Sequence, residues 1–131
     1  MIDFLTYRVG RLLFALPFGI FGIIHFMMGR DMAGVVPDFI PGGIVWVYLI
    51  GAALLGACFC FVTQRWVREA ALLLALLLLI FVGTVHVPGV MAETPNALFN
   101  LLKDTSLAGG ALLLAGLYTN HDDDEEIEES I

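Results

Sequence analysis

The chain has 131 residues, is 60% hydrophobic and only 15% charged, and has a mean hydropathy of +0.92, well above the composition of an ordinary soluble domain. Its net charge of −7 belongs to the end of the chain: Asp122, Asp123, Asp124, Glu125, Glu126, Glu128 and Glu129 leave six acids against six bases elsewhere. That neutral body carries no basic footprint for nucleic acid, and its apolar segments leave little chain for a separate soluble catalytic module.

The predicted architecture is all-α: a four-helix transmembrane bundle, up-down-up-down, with both termini cytoplasmic. The spans fall at residues 8–29, 44–62, 69–87 and 95–118. At about 1.5 Å per residue each can cross a hydrocarbon core of about 30 Å. Residues 1–119 form one membrane domain, and residues 120–131 are expected to be a disordered acidic tail. The first span is too long for a usual signal-peptide core and lacks an A-x-A-like site after it, so it reads as retained. Arg8, Arg11, Arg65 and Arg68 share one side of the bundle, whereas Arg30 and Lys103 lie on the other. The positive-inside rule then puts the termini inside, and the chain reads as a multi-pass protein of the inner membrane.

In the first span Pro17 removes a backbone donor, and a kink is expected there. The connection from Arg30 to Gly43 is unusually apolar, with Val35, Val36, Pro37, Phe39, Ile40 and Pro41. It either folds back over the outer end of the bundle or rests on the headgroups. Ala52, Gly56 and Cys60 in the second span form a small-residue stripe suited to close helix approach, as do Ala71 and Ala75 in the third and Ala111 and Ala115 in the fourth. Cys58 and Cys60 are two apart and point to different helix faces, which reads as two free thiols rather than a redox pair. Thr94 is the expected N-cap of the last helix, with Pro95 in its first turn.

That last helix carries the polar groups least expected in lipid. The segment from Thr105 to Tyr118 is too short to cross, so Asn100, Lys103 and Asp104 fall within the membrane. A Lys or Asp at a helix centre costs about 2.5–3.5 kcal/mol on insertion scales. Asn100 and Asp104 share a face, while Lys103 is expected to snorkel outward to lipid headgroups. In an up-down-up-down bundle His25, Trp46, Tyr48, His86, Asn100 and Asp104 gather at one end beneath the proline-rich loop. Imidazole changes charge near neutral pH, so the cluster can handle protons or hydrogen-bond a quinone headgroup or another small lipophilic ligand. The same residues also support an interhelical network with no ligand. Two imidazoles and an acid can hold a metal, and two histidines can ligate haem; neither cofactor is favoured by the pattern.

Gly22 and His25, then Val36–Pro37, Ile40–Pro41, Trp46, Tyr48 and Gly51, together with His86, Asn100-x-x-Lys103–Asp104 and Gly109–Gly110, resemble the DoxX family of small bacterial and archaeal membrane proteins. The resemblance covers about residues 8 to 118. It implies a four-helix transmembrane bundle and a link to quinone-associated redox chemistry. On that basis the chain is expected to be an accessory subunit of a redox membrane system rather than an enzyme, with a redox partner protein. The competing readings are a structural or assembly protein, in which the tail or the stripes engage a partner, and a small-molecule transporter. Small drug exporters typically place a carboxylate in the first span, and residues 12–29 contain none.

Overall fold

The computed structural model of the chain describes residues 1–118, so the expectation of a disordered acidic tail lies outside the described residues. Among the described residues four helices are long and apolar enough to cross a membrane: α1 (Phe4–Met27), α2 (Gly43–Thr63), α3 (Val67–Met91) and α4 (Ala97–Leu117). Between 22% and 28% of each helix's most apolar 18-residue stretch is buried inside the protein. Most of that apolar surface therefore faces outward and needs an apolar solvent, which makes the chain an integral membrane protein.

The helix limits differ from the sequence expectation for local reasons. At the end of α1, Met28 leaves the helical conformation (φ −114°, ψ 24°), and buried Gly29 sits against Tyr48. A methyl group at Gly29 would come within 2.5 Å of the Tyr48 ring, so glycine lets that ring lie against the chain there. The third helix runs past Val87 to Met91 because its Val82–His86 turn is π-helical, with the Val87 N–H donating to the Val82 carbonyl. The widened turn restarts the ladder, and Pro88 falls in the first turn of the piece that follows, where its missing N–H costs little. The last helix begins at Ala97, two residues later than expected. Asn96 adopts φ 63° and breaks the helical path, and Thr94 makes no side-chain cap.

The bundle consists of two tight hairpins, α1 on α2 and α3 on α4, with much sparser contact between α2 and α3. In the first hairpin the backbones nearly touch. A Cβ on Gly22 would lie 2.8 Å from the Gly51 carbonyl oxygen, and one on Gly19 would lie 2.8 Å from Cys58 Sγ. The second hairpin interlocks Ala71, Leu74, Ala75 and Leu78 with Ala108, Ala111 and Ala115, all buried. Phe14, Phe18 and Phe61 pack at the junction of the two hairpins; the Phe14 and Phe18 rings meet edge-on at 5.1 Å.

The small-residue stripes of α3 and α4 therefore pack as expected, but that of α2 does not. Ala52 and Gly56 are exposed, and the close approach uses Gly51 and Cys58 instead. Both cysteines are free thiols. At the end opposite the long loop, the Arg11 guanidinium donates to the Tyr118 hydroxyl at 3.3 Å. With the Gln64 amide turned carbonyl-first, its oxygen accepts from Arg11 at 2.6 and 2.9 Å, which ties α1 to the α2–α3 turn and to α4.

Candidate functional site

The loop from residue 28 to 42 returns over the bundle. It forms a helical turn at Gly29–Met32 and a 3-10 turn at Ala33–Val35, and Gly42 (φ 95°) then swings the chain into α2. The Trp46 indole N–H donates to the Pro41 carbonyl at 2.6 Å and holds the end of the loop to the first turn of α2. Met32, Val35, Val36, Pro37 and Ile40 roof a cavity of about 600 Å³ that all four helices wall. The fold-back reading of this loop is the one the structure adopts. Trp46→Phe removes the tether and is expected to cost about 1 kcal/mol. The change should also speed protease cleavage between residues 33 and 42 without altering the helix content measured by circular dichroism.

Asp104 is the buried acid of this cavity, 7% exposed. Its Oδ2 accepts a hydrogen bond of 2.7 Å from His86 Nε2–H, joining α3 to α4. Its Oδ1 lies 3.6 Å from the Lys103 ammonium. Placing His86 depends on the π turn. One extra residue in a turn rotates everything after it by about 100°, and His86 closes that turn facing Asp104. Thr84, in the same turn, also lines the cavity, and its hydroxyl donates to the Ile80 carbonyl at 2.7 Å.

His25 reaches the cavity from α1. Its Nδ1–H donates to the Phe21 carbonyl at 2.6 Å; because a carbonyl can only accept, this bond fixes the donor nitrogen and leaves Nε2 as the free one. In the same way His86, bonded through Nε2, keeps Nδ1 free of any protein partner among the described residues. The cavity is therefore lined by two imidazoles, each with one nitrogen lacking a hydrogen-bond partner among the described residues, and by a paired carboxylate, an ammonium, the Asn100 amide and the Thr84 hydroxyl, in a mostly apolar wall.

Of the sequence-predicted residues, His25, Trp46, His86, Asn100 and Asp104 line this one cavity and Tyr48 does not. The Tyr48 ring stacks on Phe26 (centroids 5.7 Å apart, planes 7° apart) and covers Gly29. Two residues apart on a helix are about 200° apart in direction, so Trp46 and Tyr48 cannot share a wall. Asn100 makes no hydrogen bond to Asp104 among the described residues; His86 and Lys103 orient the carboxylate instead.

Lys103 stands at the edge of the same cavity. Its side chain, 50% exposed, lines the cavity with the ammonium 3.6 Å from Asp104 and 5.6 Å from the Phe21 ring centroid. Phe21 and Thr84 line the cavity without having been expected from the sequence; for Phe21 the available signal is its position one turn before His25. His25, His86 and Asp104 do not assemble as a three-ligand metal set: among the described residues no cluster of three His, Cys, Asp or Glu side chains is close enough to hold an ion.

Comparison of the chain with protein-family models, with curated proteins and with solved structures finds no match, so the cavity's own chemistry carries the functional argument.

Proposed function

We propose that this chain is a ligand-binding accessory subunit of a redox-associated inner-membrane system, with both termini cytoplasmic. Its cavity would take the headgroup of a quinone or a similar lipophilic molecule. The observation that carries the reading is the His86–Asp104 pair in an apolar chamber of about 600 Å³, with His25 on another wall. A ring bearing two oxygens fits that chemistry. The free imidazole nitrogens accept from hydroxyls of the reduced form, and the Lys103 ammonium and Asn100 amide donate to carbonyls of the oxidised form. Asp104 holds the His86 ring in place through its Nε2–H. Membership of the DoxX family, suggested by the motifs quoted above, belongs to the same proposal.

Trp46 provides the readout. In a Trp66→Phe background, titration of purified protein with a short-tailed benzoquinone should quench Trp46 fluorescence saturably. Asp104→Asn or His86→Ala should weaken that binding about tenfold or more. Quenching that fails to saturate, or that ignores both substitutions, overturns the proposal. A second reading rests on the same 2.7 Å bond: it pins α3 to α4, and a pin needs no ligand. Under that reading the substitutions lower stability and quinone changes nothing.

A further inference from the structure

The sparse α2–α3 contact leaves a second hollow of about 520 Å³ along the seam, lined by Gly56, Ala57 and Cys60 of α2 and by Ala70, Leu73 and Leu74 of α3. It adjoins the loop-end cavity: Ala53, Leu77 and Ile80 line both. Most of the polar side chains lie at the loop end, the middle is apolar and is walled on α2 by the small side chains of Ala53, Gly56 and Ala57, and Trp66 and Glu69 stand at the far end. Gly56 faces open space, with nothing within 4 Å of where its Cβ would stand. From His86 to Ala70 the path follows sixteen residues of α3, about 24 Å at helical rise.

We propose that the ligand is an amphiphile with one compact hydrogen-bonding head and a long hydrocarbon tail, the head lying among His25, His86 and Asp104 and the tail along the α2–α3 groove. This inference rests on the ligand reading above and narrows it to long-tailed molecules. A groove within a bilayer does not stand empty, since an unfilled channel forfeits dispersion contacts along its walls. Bulk lipid chains can fill it, but a tail tethered to a bound head does so at high effective concentration. Close packing rather than water exclusion then supplies the gain, as it does between helices in lipid.

The test compares a benzoquinone bearing a long isoprenoid tail with the same ring bearing only a methyl group, on the intact protein in nanodiscs. Each is measured by Trp46 quenching in the Trp66→Phe background, which keeps an aromatic ring at the far end of the groove. The long-tailed probe should bind at least tenfold tighter. Gly56→Phe, which fills the groove from an open position, should abolish that advantage and leave the affinity for the methyl-substituted ring unchanged. Gly56→Leu serves where the phenyl ring lowers the melting temperature. Equal affinity of the two probes, or a tail advantage that survives both substitutions, overturns the groove and leaves the head pocket standing. Failure of both probes to bind the unsubstituted groove overturns the two readings together.

Discussion

Replacing Gly22 with valine is expected to destabilise the bundle more than any other single change in the α1–α2 hairpin. The Cβ would meet the Gly51 carbonyl oxygen at 2.8 Å and Leu55 Cγ at 2.7 Å, and the first of these is backbone. A flexible side chain could swing aside; a carbonyl engaged in its own helix cannot, so α1 must move off α2. Overpacking a close-packed core costs about 1–3 kcal/mol, occasionally more, and this site belongs at the upper end. The substitution also disturbs His25, because the two helices are so close there that a Cβ built on Gly51 would lie 2.9 Å from the His25 Cβ. Unfolding in mixed micelles, followed by circular dichroism, gives the magnitude. Gly109→Ala is the matched control: nothing lies within 4 Å of its added methyl. On helix propensity alone it should be neutral or gain about 0.5–1 kcal/mol. If Gly22→Val and Gly109→Ala behave alike, the hairpin does not rest on backbone contact.

How far the sequence revealed this arrangement depended on which physical signal each residue carried. The four spans were legible because bilayer thickness sets a length that composition alone can meet, and the buried alanines of α3 and α4 were legible from their spacing of four. The same spacing misled in α2. Ala52, Gly56 and Cys60 are as regular as the other stripes, yet Gly51 and Cys58 make the close contact. Periodicity states that residues share a face and leaves open which face meets a neighbour.

At the site, the convergence of His25, His86 and Asp104 on one cavity followed from topology, since alternating helices bring those chain positions to one end. The His86–Asp104 bond did not follow, because it needs a π turn that the Val82–His86 sequence does not announce. The Tyr48 error was avoidable, as two-residue spacing on a helix already separates it from Trp46. Lys103 required knowledge of a tertiary neighbour, the Phe21 ring, that no local pattern supplies.

The second large effect concerns the buried pair, where two magnitudes compete. Removing one partner of a buried ion pair costs about 3–5 kcal/mol in soluble proteins, whereas side-chain hydrogen bonds between membrane helices average about 0.6 and reach about 1.7 kcal/mol. The His86 and Asp104 side chains are only 15% and 9% exposed, but they adjoin a cavity roomy enough for water to take the place of a lost partner. A double-mutant cycle of His86→Ala and Asp104→Ala in unliganded protein should therefore return a coupling of about 1–2 kcal/mol, near the upper membrane figure. The corresponding cycle of Lys103→Met and Asp104→Ala should return less than about 0.5 kcal/mol, because that ammonium is half exposed and 3.6 Å away. Ligand then separates the two readings of the pair. A ligand held at one hundred times its dissociation constant stabilises the folded state by about 2.7 kcal/mol. The unsubstituted protein should show that gain with a long-tailed quinone, and Asp104→Asn should lose most of it while losing less than about 1.5 kcal/mol of unliganded stability. If the pair is only a pin, quinone leaves the melting temperature of both proteins unchanged, and the whole effect of Asp104→Asn appears before any ligand is added.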